Sequence, residues 1–525
     1  MRAAEPRPQT SVGPIAEDEG EDGPPSASGP AQAGLRGMVV GSAWMIGARW
    51  VIRSIGMVST VILARLLLPE DFGLVAMGAI TMQFVLVFAD AGQAMAVIRN
   101  VNATDEHFDT AWAMSIAIGV VVAAGLIVGA PLAGLYFHDS RAVPVVQVIA
   151  LKPLINGFTN VGVLAFRKNL RFGKDFQFLV INRVSIFVVG ISLALTLRSY
   201  WALVIASVCG EAFSVAASYV LSPYRPRFRL TKLREIWGYS IWMQFANIGY
   251  FFGERADQFV VGGLAGATPM GLYNVSADTA SAPTDEVVVP MARALFPYYA
   301  ILLNEPSRFA EAYLGVLSVV AVIALSTGVG VALVAGDLVA VVLGQKWLAA
   351  APLVVWLAAG NAFLGIGRSA NAVLSVTGSG RLYAVRNWLF VVLLAPAALI
   401  GGMNWGPVGV AAARTVVTIL FAPVMFYTVI RVIPVTATDI FARLWRPIIA
   451  ASAMVAVVKL SGIDAITSPV FRLFSNTILG AMIFVLVLLS LWVLAGREPG
   501  VERTTVEQAA KLWRRLHWRQ TMLSP

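Results

Sequence analysis

Arg49 and Arg53 stand four residues apart in a stretch, 38–64, that is otherwise free of charge. On a helix that spacing puts both guanidinium groups on one face. A guanidinium fork matches the oxygens of a phosphate or diphosphate. Charge recurs inside other apolar stretches. Glu254, Arg255 and Asp257 share one, Asp278, Asp285 and Glu286 the next, and Arg183, Arg368 and Arg414 stand singly. A charge at bilayer depth is costly, so each marks a candidate functional position. One reading is a water-filled cavity lined by Arg49, Arg53, Arg183, Arg255, Arg368 and Arg414, suited to an anionic head group and poorly suited to a cationic drug. The other is internal ion pairing, with Glu254 or Asp257 set against Arg49 or Arg53. Asp90, Glu211, Glu254, Asp257 and Asp285 are candidates for charge pairing or for proton or sodium coupling.

The sequence holds no G-x-S-x-G, Walker A, H-E-x-x-H or Asp-rich nucleotide-sugar motif. Its one cysteine, Cys209, and three dispersed histidines, His107, His138 and His517, offer no disulfide framework and no metal-ligand spacing. No polar segment is long enough to fold a nucleotide-binding domain. The expectation is a transporter rather than an enzyme, working without a cofactor.

The elements that hold these charges are membrane spans. The chain has 525 residues, 58% hydrophobic and 13% charged, where a soluble domain runs about 45–50% apolar and about 25% charged. A span needs about 20 mostly apolar residues. That length predicts spans near 38–64, 72–97, 111–136, 143–164, 177–197, 200–221, 237–263, 272–299, 312–335, 338–376 (a span plus its approach), 385–402, 406–430, 445–461 and 473–495. The predicted fold is an all-α polytopic membrane protein with about fourteen transmembrane helices.

Basic residues crowd alternate connections: Arg167, Lys168, Arg171 and Lys174; Arg225, Arg227, Arg229, Lys232 and Arg234; Arg381 and Arg386; Arg431, Arg443 and Arg446; and the C-terminal tail. The other connections hold only Arg141, Arg198, Lys346, Lys459 and Arg472. By the positive-inside rule both termini are cytoplasmic. Asp105, Glu106 and Asp109 sit in a connection predicted inside, and acids contribute little to orientation. The net charge of +10 therefore reads as topology, with no nucleic-acid partner. Residues 1–35, rich in Pro, Gly and acid, read as a disordered cytoplasmic tail rather than a signal peptide. Residues 497–525 read as a basic cytoplasmic tail.

The chain also repeats. At an offset of 198, Ser42, Trp44, Met45 and Ala48 meet Ser240, Trp242, Met243 and Ala246 without a gap. Leu66, Gly73, Leu74 and Ala79 likewise meet Leu264, Gly271, Leu272 and Ala277. The offset covers six spans, an even number, so both copies enter from one face. Two pseudo-symmetric six-helix lobes follow, related by an axis along the membrane normal: an N-lobe over 36–222 and a C-lobe over 223–432. Two extra C-terminal helices occupy 433–496.

Leu63, Ala64, Arg65 and Leu66, followed by Pro69, Phe72 and Gly73, resemble the first-hairpin signature of the polysaccharide transporter family. That family is the oligosaccharide-flippase branch of the multidrug/oligosaccharidyl-lipid/polysaccharide exporter superfamily. Trp44, the run from Phe88 through Asp90 to Gly92, Gly253 to Asp257, and Gly271 to Tyr273 extend the resemblance, which covers about 36–500. It is strongest toward lipopolysaccharide and exopolysaccharide flippases of the colanic-acid type. The resemblance implies a bilobed, alternating-access flippase in the bacterial inner membrane. Its partner would be an undecaprenyl-diphosphate-type lipid-linked oligosaccharide, with a polysaccharide polymerase and export machinery as further partners. It also implies a basic central cavity, and extending that role to Arg49, Arg53 and Arg255 is inferred from their placement. Pro69, Phe72 and Gly73 are expected to shape a turn and its packing. The alternatives are a drug/cation antiporter of the same superfamily, which would set acids toward the cavity, and a membrane polysaccharide polymerase or ligase, which would carry a large outer loop.

Overall fold

The computed structural model describes residues 51–89, 104–164, 166, 172–236 and 241–496, and every regular element among them is helical. The bilayer explains this. Hydrocarbon offers no partner for backbone N–H and C=O groups, and a helix satisfies them internally. Helix α1 occupies 51–66. It is followed by α2 (Pro69–Ala89), α3 (Asp105–Tyr136), α4 (Ala142–Ile149), α5 (Leu151–Gly157), α6 (Phe172–Leu197) and α7 (Trp201–Leu221). Then come α8 (Ile241–Ala265), α9 (Ala267–Leu302), α10 (Pro306–Leu333), α11 (Ala351–Val376), α12 (Gly380–Ile430), α13 (Ala437–Leu460) and α14 (Pro469–Leu494).

Nine of the described helices are long and apolar enough to cross a membrane. α8 and α9 have the length, but charged and polar residues keep them from reading as apolar. α12 is two helices: Gly406 has φ 62°, a conformation open to glycine, and Pro407 follows it. Counting α12 twice and α4–α5 as one broken pass, fourteen helical passes stand among the described residues.

The structure refines the predicted spans, most of all the fourth, and α3, α10, α12 and α13 each begin several residues before the predicted start. The fourth is not one helix. It breaks between α4 and α5 and ends in a 3-10 turn at Val161–Val163. Pro153 explains the break, because it lacks an N–H and its ring crowds the carbonyl four residues back. The approach to α11 is a chain of short pieces, Ala335–Leu338, Val339–Leu343 and Gln345–Ala350, turned by Gly344 at φ 99°. And α12 begins at Gly380, five residues before the predicted span, which carries Arg386 almost two turns into the helix.

The described residues form two compact units. Those up to Leu66, with Thr81–Ala133 and Arg141–Ser240, make the first; Leu67–Ile80, Gly134–Ser140 and those from Ile241 onward make the second. In the first unit α3 and α5 approach closely at Gly119 and Gly157. A Cβ on either would press on the Pro153 or Ser115 carbonyl at 2.5 and 2.8 Å. The broken fourth pass is closed by buried Asn160. Its amide donates to the Tyr224 carbonyl at 2.7 Å, its side-chain oxygen accepts from Gly162 N–H, and its backbone N–H donates to Ser218 Oγ.

In the second unit, the start of α2 crosses the start of α9 at Gly73 and Gly271. A Cβ on Gly73 would overlap the Ala267 carbonyl, and one on Gly271 would overlap the Pro69 carbonyl. Phe72 meets the buried Trp347 ring edge-on at 5.2 Å. A core of buried side chains, among them Tyr299, Tyr313, Leu317, Ile366, Val429, Met454 and Phe484, joins α9 to α14. Along α14 every fourth residue is buried (Asn476, Gly480, Phe484, Leu488, Trp492), while Phe471, Phe474, Ile478, Met482 and Leu486 are exposed. A narrow packed stripe opposite a broad apolar one is what lipid on the outer side requires.

Candidate functional site

The charges of the second unit are gathered. Glu254 and Asp257 lie three residues apart on α8, hence on one face. Arg368 of α11 donates to Asp285 of α9 and, at 3.2 Å, to Glu254. Arg414 of α12 meets Glu254 at 3.5 Å and Asp257 at 2.9 Å, and its Nη1 also donates to the Glu254 backbone carbonyl. The Tyr273 hydroxyl of α9 donates to the same Asp257 oxygen at 2.6 Å. The result is an alternating chain, Asp285–Arg368–Glu254–Arg414–Asp257–Tyr273, across four helices.

Pairing is what makes these charges tolerable. A lone ion in low dielectric carries a penalty of several kcal/mol, and removing one partner of a buried pair typically costs about 3–5 kcal/mol. The chain holds three carboxylates and two guanidinium groups, so it carries one negative charge in excess. Asp257, 2% exposed, has a second oxygen, Oδ1, that is buried and meets no hydrogen-bond donor.

A small cavity of about 40 Å³ lies beside this chain, within the same unit. Gly249 and Gly253, four apart on α8, and Gly367 on α11 leave it room. Its polar wall is Tyr250, Glu254, Arg368, Asn371, Arg386 and Asn387; its apolar wall is Leu364, Phe390, Phe421 and Met425. Arg386 donates to the side-chain oxygens of Asn371 and Asn387.

The residues singled out from sequence fall into three groups. Glu254, Asp257, Asp285, Arg368 and Arg414 come together in the chain just described. There the partners of Glu254 and Asp257 are Arg368 and Arg414, and these two arginines give their guanidinium groups to carboxylates. Arg255 turns to the amide oxygen of Gln258 at 3.1 Å, and Gln258 reaches Asn274. In the first unit, Arg53 is half-buried on α1. Three residues on, Gly56 lies under the guanidinium of Arg183, so tightly that a Cβ there would collide with it. Glu211 accepts from Asn156, with Lys152 close enough to feel its charge. Arg49 and Asp90 lie outside the described residues. Among the described residues no group of His, Cys, Asp or Glu is placed to hold a metal ion.

Sequence reasoning missed Tyr273, Asn371, Asn387 and Arg386. Arg386 was counted among the connection cations that set topology, although it is the second residue of the predicted span 385–402. Its helix begins at Gly380, so Arg386 lies within the helix, and its side chain is buried.

Charges thus pair with one another at mid-helix in a protein whose described residues include nine helices long and apolar enough to cross a membrane. The chain belongs to the polysaccharide biosynthesis protein family, which it matches over residues 62–352. It is similar to the lipopolysaccharide biosynthesis protein WzxC of Escherichia coli (strain K12), 21% identical over 78% of this chain and 84% of that one. It is also similar to the succinoglycan biosynthesis transport protein ExoT of Rhizobium meliloti (strain 1021), 25% identical over 89% of this chain and 96% of that one. Its fold resembles the lipid II flippase MurJ in an inward closed conformation. The TM-score is 0.68 at 12% identity, over 86% of this chain and 99% of that one. An inward-facing multidrug resistance MATE family transporter of the MOP superfamily shares the fold at a TM-score of 0.58 and 16% identity. That match covers 74% of this chain and 98% of the other.

Proposed function

We propose that the protein is a flippase for lipid-linked oligosaccharide repeat units. It would move an undecaprenyl-diphosphate-type carrier and its glycan across the bacterial inner membrane by alternating access, for exopolysaccharide or lipopolysaccharide assembly. The observation that carries this reading is membership of the polysaccharide biosynthesis family, with near full-length similarity to a succinoglycan biosynthesis transport protein. In this reading both termini are cytoplasmic, and the lobes are 36–222 and 223–432, with 433–496 added. Arg49, Arg53, Arg183 and Arg255 are the arginines that would face the diphosphate. Arg368 and Arg414 act through the acids they hold. The excess negative charge of the chain is where a coupling proton or sodium ion would be taken up.

That same excess charge favours a second reading, a drug/cation antiporter of the superfamily. One experiment separates them. In cells lacking the gene, surface polysaccharide should be lost while lipid-linked repeat units accumulate on the inner leaflet. Wild type should restore export, and a well-expressed R49A/R53A protein should not. Full export from the double variant would remove the arginines from the mechanism. Unchanged polysaccharide with altered drug resistance in the deletion would replace the flippase with the antiporter.

A further inference from the structure

The chain that leaves α7 is tied down along its length. Ser222 is extended, and Pro223 and Pro226 keep residues 222–230 out of any helix. The Tyr224 hydroxyl donates to Asp109 at 2.6 Å, and the Arg227 backbone N–H donates to the same oxygen at 2.8 Å. Asn160, near the end of the fourth pass, donates to the Tyr224 carbonyl, and the Lys232 N–H donates to Thr110. Asp109 and Thr110 lie in the first two turns of α3, and the strap begins directly after α7; both helices are long and apolar enough to span. A segment fixed to the ends of three passes lies along the edge of the bilayer.

What the strap leaves exposed is of two kinds. Phe228, Leu230 and Leu233 are large apolar side chains, 65%, 47% and 36% exposed. Arg225, Arg227 and Arg229, at alternate positions, are exposed as well. The nearby acids are engaged elsewhere. Asp109 accepts from Tyr224 and the Arg227 N–H, with Arg229 at 3.9 Å, and Glu235 is held by Lys232 and His107. Neither these nor Asp105 and Glu106, which open α3, pair with the side chains of Arg225 or Arg227 among the described residues. Arg225 gives one nitrogen to the Ser222 and Tyr224 carbonyls and keeps the rest of its fork.

Bases interleaved with exposed Phe and Leu are the composition of a segment that lies in a lipid interface. A guanidinium fork matches phosphate oxygens, and an anionic leaflet attracts each base near its surface. We propose that residues 224–233 are a lipid-binding strap for the head groups of anionic phospholipids in the leaflet they border. Arg225 and Arg227 donate to the phosphates, and Phe228, Leu230 and Leu233 enter among the upper acyl carbons. The occupant is a bulk component of the bilayer, and its binding is independent of what the protein transports.

The test uses the full chain with C209S and T231C, labelled with bimane at position 231, which is exposed, and reconstituted in phosphatidylcholine vesicles. Doxyl-labelled phosphatidylglycerol should quench the probe at a mole fraction about fivefold lower than doxyl-labelled phosphatidylcholine requires. High salt should narrow that gap. R225Q/R227Q should bring the two lipids to parity, and R225K/R227K should keep most of the preference. R227Q alone serves if the double variant does not fold, because the Arg227 side chain has no partner among the described residues; it should lower the preference by itself. K346Q, exposed on another connection, should change nothing. F228S/L230S should weaken quenching by both lipids. Equal quenching by the two lipids with the strap arginines intact, or a preference unchanged in R225Q/R227Q and R227Q, overturns the proposal. Quenching by neither lipid puts the strap in water and overturns it in favour of a soluble partner.

Discussion

Gly73 and Gly271 touch where two helix starts cross, and they are the same position of the repeat, 198 residues apart. The contact is reciprocal: Gly73 lies against the Ala267 carbonyl and Gly271 against the Pro69 carbonyl, which are themselves 198 apart. Each copy thus presents the same surface to the other, as in an isologous contact between subunits. A methyl group on either side has nowhere to go. G73A or G271A should lower stability by about 1–3 kcal/mol, the usual range for overpacking. G125A and G129A on α3, where an added Cβ meets nothing within 4 Å, are the controls. Melting temperatures of the four variants in detergent decide it, and equal behaviour would refute the close crossing.

The alternating charge chain predicts strong non-additivity. R414M should cost about 3–5 kcal/mol, because it leaves Asp257 and Glu254 short of their cation. Removing an acid as well, in R414M/D257N, should recover much of that loss. A double-mutant cycle reads the coupling directly. Additive effects would mean that the two side chains do not feel each other.

Helix α13 begins with a reciprocal cap. The Asp439 N–H donates to Thr436 Oγ1 at 3.2 Å, and the Thr436 N–H donates to the Asp439 carboxylate at 2.9 Å. T436A should destabilise by about 1 kcal/mol, and T436S by far less. Thermal unfolding of the two variants separates cap chemistry from side-chain bulk.

Glu235, in a connection of the first unit, accepts from Lys232 at 2.7 Å and lies 3.0 Å from His107 Nε2. Lys232 first, then His107, hold its carboxyl below the ordinary value. A depressed carboxyl stabilises above its unfolded value, about 4.3, and that contribution fades as pH falls through the lower folded value. Hydrogen exchange across 233–236, corrected for its intrinsic pH dependence, should therefore stay flat from pH 8 to 5 and rise only in more acid solution. Exchange that already rises above pH 5 would refute control by the carboxylate.

The fold was legible wherever hydrophobicity alone decides. The runs around 111–136, 312–335 and 473–495 each became one helix, and the division between 385–402 and 406–430 meets a true break at Gly406. What misled was length counting. The apolar run 143–164 conceals Pro153, whose missing N–H outweighs the composition around it. The site was legible by residue but not by partner. Glu254, Asp257, Asp285, Arg368 and Arg414 stand out because charge is rare at bilayer depth. Which cation meets which acid depends on helix rotation and on contacts over 80 residues away in sequence. Arg386 was read as a topology cation because hydropathy does not show that a charge near the edge of a span is buried against neighbouring helices.

The charge chain has a consequence for motion. Its links fasten α8, α9, α11 and α12 to one another through pairs that each favour contact far more in hydrocarbon than in water. Sliding any one of these helices would strand an ion with no solvent to receive it. Helices α8, α9 and α11 and the part of α12 beyond Gly406 are therefore expected to travel as a single solid piece, with shape change borne by joints such as the glycine at 406 and the segmented approach at 335–350.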